Sequence, residues 1–307
     1  MKWRLPVWHR RYRLQKILQG VDVVFSNTIT NGALLREIKP GFRGRIISYV
    51  HELDMACRFF STPRDLETTL ELTDHFFVPC EAVKTFLVNR KKVPAHKVSL
   101  LHYYIPALPV VPQEQLHRFC ELSGIIEDFV VGAIGTVDWR KGIDVFISVA
   151  IRVFHKIPGA GIQFVWMGAE EGKDEVIKAL SDLEKAGLGD RVVLLPQSGA
   201  NYQFFNSIDM LLLSSREDPY PLVVLEAASA GVPTICFDKA GGAPEFVGDQ
   251  CGTVVPYLNI EAMTDGVVNY YRDRDIMLSH SDAALKKVNT KHQSKDLILC
   301  QIIPLIN

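Results

Sequence analysis

The sequence lacks any run of about 18 apolar residues, so no transmembrane helix is expected. Cysteine is sparse: Cys57, Cys80, Cys120, Cys236, Cys251 and Cys300 are widely scattered, and none form a CxxC pair. Most fall in or beside apolar runs, where a free thiol behaves as a small hydrophobe. That pattern argues against a zinc site or a disulfide scaffold and points to a reducing, cytoplasmic compartment. No charge of one sign dominates. The formal net charge is -1, so nothing global directs the chain to nucleic acid. A G-x-G-x-x-G turn is also missing, so no dinucleotide cofactor is implied. One local absence stands out, since residues 1–20 hold no acid but carry Lys2, Arg4, Arg10, Arg11, Arg13 and Lys16 among Trp3, Trp8 and Tyr12. No apolar stretch follows as it would in a secretory signal. Two readings stay open: a solvated helix face, or peripheral contact with anionic lipid at the inner face of the membrane.

What is present is an α/β pattern. At 307 residues the chain is long enough for about two domains. From residue 129 on, apolar runs alternate with helical patterns: Phe129–Gly135, Ile162–Gly168, Arg191–Pro196, Asp209–Ser215, Val232–Asp238 and Gly252–Tyr257 read as strands. Strands that are apolar throughout and alternate with helices mean a parallel sheet covered on both faces. Such a doubly wound domain binds its ligand at the carboxyl ends of the strands. Earlier in the chain, Val21–Ser26, Arg45–His51, His75–Cys80 and His96–His102 show the same rhythm, with less of it. The proline-rich Ile105–Pro112 should be extended. The expected division is a partial first domain over 1–112, a linker over 113–128 and a second domain over 129–290. A last helix over 291–307 is expected to cross back to the first domain.

Three turns carry candidate chemistry, all at the same end of the second sheet. The first is Gly135-Thr136-Val137-Asp138-Trp139-Arg140-Lys141-Gly142. Two cations at a helix N-terminus oppose its dipole, and they become sensible if a diphosphate sits among Arg140, Lys141 and the helix amides. The second runs from Ser214 through Glu217-Asp218-Pro219-Tyr220-Pro221-Leu222 to Glu226 and Gly231-Val232-Pro233. Glu226 is the single charge in an otherwise apolar helix, a costly placement unless something satisfies it. Polyol hydroxyls would do so, because a carboxylate accepts several hydrogen bonds. The plainer alternatives are capping for Asp218 and an internal partner for Glu226. The third turn is Lys239-Ala240-Gly241-Gly242-Ala243-Pro244-Glu245, where adjacent glycines let backbone amides approach a ligand.

With these motifs in order over about half the chain, residues 129–290 resemble the donor-binding domain of retaining glycosyltransferases of family 4, which have the GT-B fold. The family's Lys-Gly is matched by Lys141-Gly142, its paired acids by Asp218 and Glu226, and its Gly-Gly-x-x-Glu turn by Gly241, Gly242 and Glu245. The resemblance implies two facing Rossmann-like domains with parallel sheets, the first incomplete. It implies transfer of a sugar, with retention, from a UDP-, GDP- or dTDP-type donor to a hydroxyl of a glycan or lipid-linked acceptor. Lys141 would hold the diphosphate, Glu226 the ribose, and Asp218 with the turn after it the donor sugar. No metal or cofactor is implied, since Arg140, Lys141 and helix amides can offset the charge of the leaving diphosphate. Thr136 stands where the family commonly has arginine. The first acid is Asp218 or the adjacent Glu217, where the family usually has glutamate.

Before residue 129 the resemblance covers only the later part of the family's acceptor domain, with His51 where members often place a histidine near the donor sugar. The opening strand and its glycine-rich loop are missing from that match. The expectation is therefore good donor binding but poor transfer by this chain alone, with a second copy or a partner chain covering the open sheet edge. Two other readings remain: a non-catalytic nucleotide-sugar-binding subunit, and a sugar-nucleotide epimerase of related fold.

Overall fold

The computed structural model describes residues 7–306, with side chains from 12 to 303. Lys2, Trp3 and Arg4 of the basic start lie outside the described residues, as do the side chains of Trp8, Arg10 and Arg11. The chain divides into two compact units. One holds the described residues up to His102 together with those from Ile298 on; the other runs from Tyr103 to Leu297.

The first unit is built on four parallel strands, β1 (Val23–Ser26), β2 (Arg45–Tyr49), β3 (His75–Val78) and β4 (Val98–Leu100), in the order β1-β2-β3-β4. β3 is buried along its whole length, as an apolar strand covered on both faces must be. The helix Pro63–Leu72 begins where Thr62 accepts a hydrogen bond from the amide of Asp65 and Pro63 fills the first helical turn. Leu35, Ile38, Phe42 and Ile46 form one core cluster of this unit, and Ile47, Phe76, Phe77, Val83 and Leu87 are buried as well.

The second unit carries six parallel strands: β5 (Phe129–Ile134), β6 (Ile162–Met167), β7 (Val192–Leu195), β8 (Met210–Leu213), β9 (Thr234–Phe237) and β10 (Gly252–Val255). Their spatial order is β10-β9-β8-β5-β6-β7. From β5 the chain winds one way to β6 and β7, then returns to β8 on the other side and winds outward to β9 and β10. The winding reverses between β5 and β8, and the carboxyl ends of that pair are where a doubly wound sheet opens a crevice. The helix Ile143–Lys156 covers one face by turning Val145, Phe146, Val149, Ala150 and Val153 inward. Phe146 meets Phe164 and Trp166 edge-on at 5.4 and 5.3 Å. Fully burying each of these rings stabilises the fold by roughly 1.5–3 kcal/mol.

Two expectations change. Residues 113–128, read as a linker, contain the helix Gln113–Ser123, which Gly124 ends in the left-handed region at φ 66°. Its sequence, with Glu114, Arg118 and Glu121 on a weakly apolar background, hid a short amphipathic helix behind the prolines. The last helix is Lys295–Ile306 rather than 291–307, because the preceding helix continues to Lys291. Residues 105–112 belong to no helix or strand, and the amide of Ile105 donates to the carbonyl of His292 within the second unit. Among the described residues no helix is long and apolar enough to cross a membrane, and all six cysteines are free.

Candidate functional site

The three turns singled out in the sequence meet at the carboxyl ends of β5, β8 and β9. After β5, the chain passes Gly135 and Thr136 and turns at Asp138, whose carboxylate accepts the Lys141 amide at 2.7 Å. Gly142 then adopts φ 76° and starts the helix Ile143–Lys156, with no side chain capping the first amides. A Cβ at Gly142 would lie 2.3 Å from the Ser214 carbonyl oxygen. This close approach, in addition to the positive φ, is what demands glycine there. In return, Ser214 Oγ donates to the Lys141 carbonyl at 3.0 Å.

Lys141 reaches across to the second turn, and its Nζ lies 2.5 Å from Asp218 Oδ2. Both side chains are largely buried, 15% and 11% exposed, so this is an ion pair shielded from solvent. Asp218 is in turn fixed to the third turn. Its amide donates to Ala240 at 2.7 Å, and it forms a parallel bridge with Gly241. A Cβ on Gly241, at φ 143°, would lie 1.8 Å from the Asp218 carbonyl oxygen. Gly242 donates its amide to the Pro219 carbonyl at 2.8 Å. Arg140 Nη1 donates to the Glu217 carbonyl at 3.0 Å, so the second cation also holds the acidic turn.

The helix Leu222–Ser229 follows directly, with Pro221 as its N-cap residue and Leu222 45% exposed. Tyr220 is buried against Tyr103, and its hydroxyl lies 3.3 Å from His292 Nε2. Glu226 sits half-buried in the helix. Burial raises its carboxyl above the usual range, and it has no hydrogen-bond or ion partner among the described residues. The internal partner that would have explained it away is missing there. Beside the phosphate turn, on the β6 side, a cleft of about 590 Å³ opens between Thr136, Val137, Gly168, Glu170 and Lys173.

His51 belongs to the first unit, beyond the end of β2. Its Nε2 lies 2.7 Å from Asn27 Oδ1, and its ring packs 4.2 Å from Tyr49. The amides of His51 and Ile29 and the hydroxyl of Thr28 all donate to Glu52, tying the turn after β1 to the one after β2. Burial lowers the His51 pKa, and the nearby Glu52 opposes that shift. The ring is therefore held toward its neutral form.

One residue of consequence was not singled out in the sequence. Arg216 makes a two-pronged contact with Asp144 at 2.9 and 2.7 Å and donates to the Trp139 carbonyl at 2.7 Å. Its guanidinium stacks 4.9 Å over the Trp139 ring, and its amide donates to the Arg140 carbonyl. Arg216 thus clamps the phosphate turn to the acidic turn. Only its position beside the paired acids hinted at this, because its partners lie over 70 residues away.

A crevice of this kind, on a doubly wound sheet with a second parallel α/β unit in the same chain, defines a GT-B protein. A family model described as "Glycosyl transferases group 1" matches residues 128–273, the part of the chain that carries the six-stranded sheet. The chain is 24% identical over 210 residues to the lipopolysaccharide core biosynthesis mannosyltransferase LpcC of Rhizobium leguminosarum bv. viciae, spanning 66% of this chain and 56% of that protein. It is 26% identical over 185 residues to the D-inositol 3-phosphate glycosyltransferase of Mycobacteroides abscessus, spanning 59% of this chain and 40% of that one. The chain therefore spans about half the length of the curated relatives it matches. Among solved structures, Anabaena HepE in complex with UDP and glucose superposes with a TM-score of 0.83 at 16% identity, over 95% of this chain and 80% of that one. A glycosyltransferase from Rickettsia africae gives 0.81 at 13%, over 100% and 82%. At these identities the likeness shows the fold.

Proposed function

We propose that this chain is a glycosyltransferase that takes a sugar from a nucleoside diphosphate donor and passes it to an acceptor hydroxyl with retention at the anomeric carbon. The observation that carries the reading is the meeting of Lys141, Asp218 and the Gly241–Gly242 turn at the β5–β8 crevice, next to a half-buried Glu226 without a partner. Lys141, supported by Arg140 and the uncapped amides of the helix Ile143–Lys156, faces the diphosphate. Charge grows there as the sugar departs, and fixed cations and amides favour that state. No metal or cofactor is needed for this step in our reading. Glu226 accepts the ribose hydroxyls. Asp218 and the backbone of Pro219 to Leu222 and Gly241–Gly242 hold the donor sugar, and we assign the first-acid role to Asp218 rather than Glu217. His51 serves the acceptor side as a neutral imidazole. The UDP-bound neighbour and the mannosyl- and inositol-phosphate-directed relatives support the class of reaction. A glycan or lipid-linked acceptor and a reducing, cytoplasmic setting fit the same reading.

The test begins with thermal shifts against UDP-, GDP- and dTDP-sugars, because a ligand of the folded state raises the melting temperature. Transfer to an acceptor is then followed by NMR of the anomeric signal, with and without a chelator. Product of retained configuration, undiminished by chelation, is expected. Donor binding without turnover would make the chain a binding subunit. Absence of binding to any sugar nucleotide would sink the assignment.

A further inference from the structure

His292 is 2% exposed, at the point where the helix Arg274–Lys291 ends. A polar ring buried that deeply needs partners for both nitrogens, and each goes to a different part of the second unit. Nδ1 lies 2.9 Å from the Tyr103 carbonyl oxygen, an acceptor with no proton to give, so Nδ1 carries the proton. In the neutral ring Nε2 is then an acceptor, and the Tyr220 hydroxyl donates to it at 3.3 Å. The His292 carbonyl takes the amide of Ile105, which pins the segment that begins the second unit at two points. The ring also packs 5.8 Å from Phe246, in the helix that follows the Gly241–Gly242 turn. Next in the chain, Gln293 Nε2 donates to Ser229 Oγ at 3.0 Å. Tyr220 precedes the helix Leu222–Ser229 and Ser229 closes it, so His292 and Gln293 together hold both ends of the helix that carries Glu226.

We infer that His292 is a positioning residue for the donor site, which sets donor affinity through Tyr220 without touching the donor. The inference rests on the proposed donor reading for its ligand. Its physical basis is the situation of Glu226. That carboxylate has no partner among the described residues, so no contact of its own fixes where it points. Its direction is inherited from the helix backbone, and the helix is only 8 residues long. So short a helix has little cooperative stability of its own, and ties at its ends decide how it sits against the sheet. No side chain caps its first amides. Tyr220, just before its start, supplies a side-chain tie in place of a cap.

The test is calorimetric titration of the full chain and its variants with UDP-, GDP- and dTDP-glucose. His292→Asn keeps an amide nitrogen where Nδ1 stands but is too short to reach Tyr220. His292→Gln places its amide oxygen near the position of Nε2 and can still accept the Tyr220 hydroxyl. His292→Asn and Tyr220→Phe should each lower donor affinity roughly five- to tenfold, the cost of one buried hydrogen bond. Combining the two should lose no more than either alone, because both remove the same bond. His292→Gln should stay within about twofold of the native protein. A histidine that merely fills the core would depress the melting temperature in all variants and show no such split. In the ligand-free chain, His292→Asn should speed amide exchange across Leu222–Ser229 about fivefold and leave β5 and β6 unchanged. If His292→Asn fails to fold, Tyr220→Phe set against His292→Gln carries the same comparison. Native protein that binds none of these sugar nucleotides would refute the donor reading, and the exchange measurement alone would then support or overturn the hold on the helix. Additive losses, equal losses in the two histidine variants, or helix exchange that His292→Asn leaves unaltered would overturn the inference.

Discussion

Glu226→Gln should weaken sugar-nucleotide binding while leaving the ligand-free fold at least as stable as before. The carboxylate is half-buried, partnerless among the described residues, and raised in pKa by desolvation. Glutamine keeps the shape and removes the charge, so the desolvation cost disappears and no native ion pair is lost. In the complex, ribose hydroxyls donating to an ionised carboxylate would contribute roughly 1.5–3 kcal/mol. At about 1.4 kcal/mol per tenfold, that is a loss of about 10- to 150-fold in affinity. The pH dependence has a definite sign. Because the folded pKa lies above the unfolded one, the native state binds the extra proton first. Stability from this group is fully present below the unfolded pKa and is lost as pH rises through the folded pKa. Donor affinity runs the opposite way, falling as pH drops through the raised pKa and the acceptor carboxylate is protonated. Calorimetry with a nucleoside diphosphate sugar across that range, paired with thermal melts of both proteins, measures each arm. A variant that melts earlier yet binds donor normally would show that Glu226 is structural.

Lys141→Ala should cut affinity for a nucleoside diphosphate far more than for the free nucleoside. It should also destabilise the fold by about 3–5 kcal/mol, because Asp218 is left buried without its cation. Adding Asp218→Asn should recover most of the melting temperature but not the diphosphate affinity, and recovery of both would remove Lys141 from the phosphate site. Gly142→Ala forces a Cβ to within 2.3 Å of the Ser214 carbonyl in a left-handed backbone, so melts should fall by a few kcal/mol in stability with donor affinity lost in parallel. A crystal structure of that variant with an undisturbed turn would contradict the packing described. Arg216→Lys breaks the two-pronged hold on Asp144 and the stacking on Trp139, and donor affinity should drop about tenfold with a small change in melting temperature. Asp144 is held below the usual carboxylate range, first by the hydrogen bond from Arg216. Its contribution should therefore be present above the unfolded pKa and vanish as pH falls through the lower folded value. An Asp144→Asn protein with unchanged binding would argue against the clamp.

Much of this protein could be read along the chain. Each run such as FVVGAI or IQFVWM is apolar throughout, and burial on both faces of a parallel sheet requires that composition. The Lys-Gly turn, the paired acids and the double glycine were legible because each breaks a local rule: cations at a helix start, a charge in an apolar helix, glycines where a strand ends. The helix Gln113–Ser123 escaped notice because the prolines before it read as a linker and no side-chain hydrogen bond caps its start. Strand order lay beyond local pattern as well. β8 pairs with β5, not with β7, so residues 77 apart in sequence become the Lys141–Asp218 ion pair. Periodicity reports which residues are buried. Which strands become neighbours is decided by crossover handedness and the packing of whole helices against the sheet, and these are properties of the assembled chain. The same holds for the clamp of Arg216 and for the isolation of Glu226. Sequence marks a charge as out of place, and only the folded neighbourhood determines whether anything there answers it.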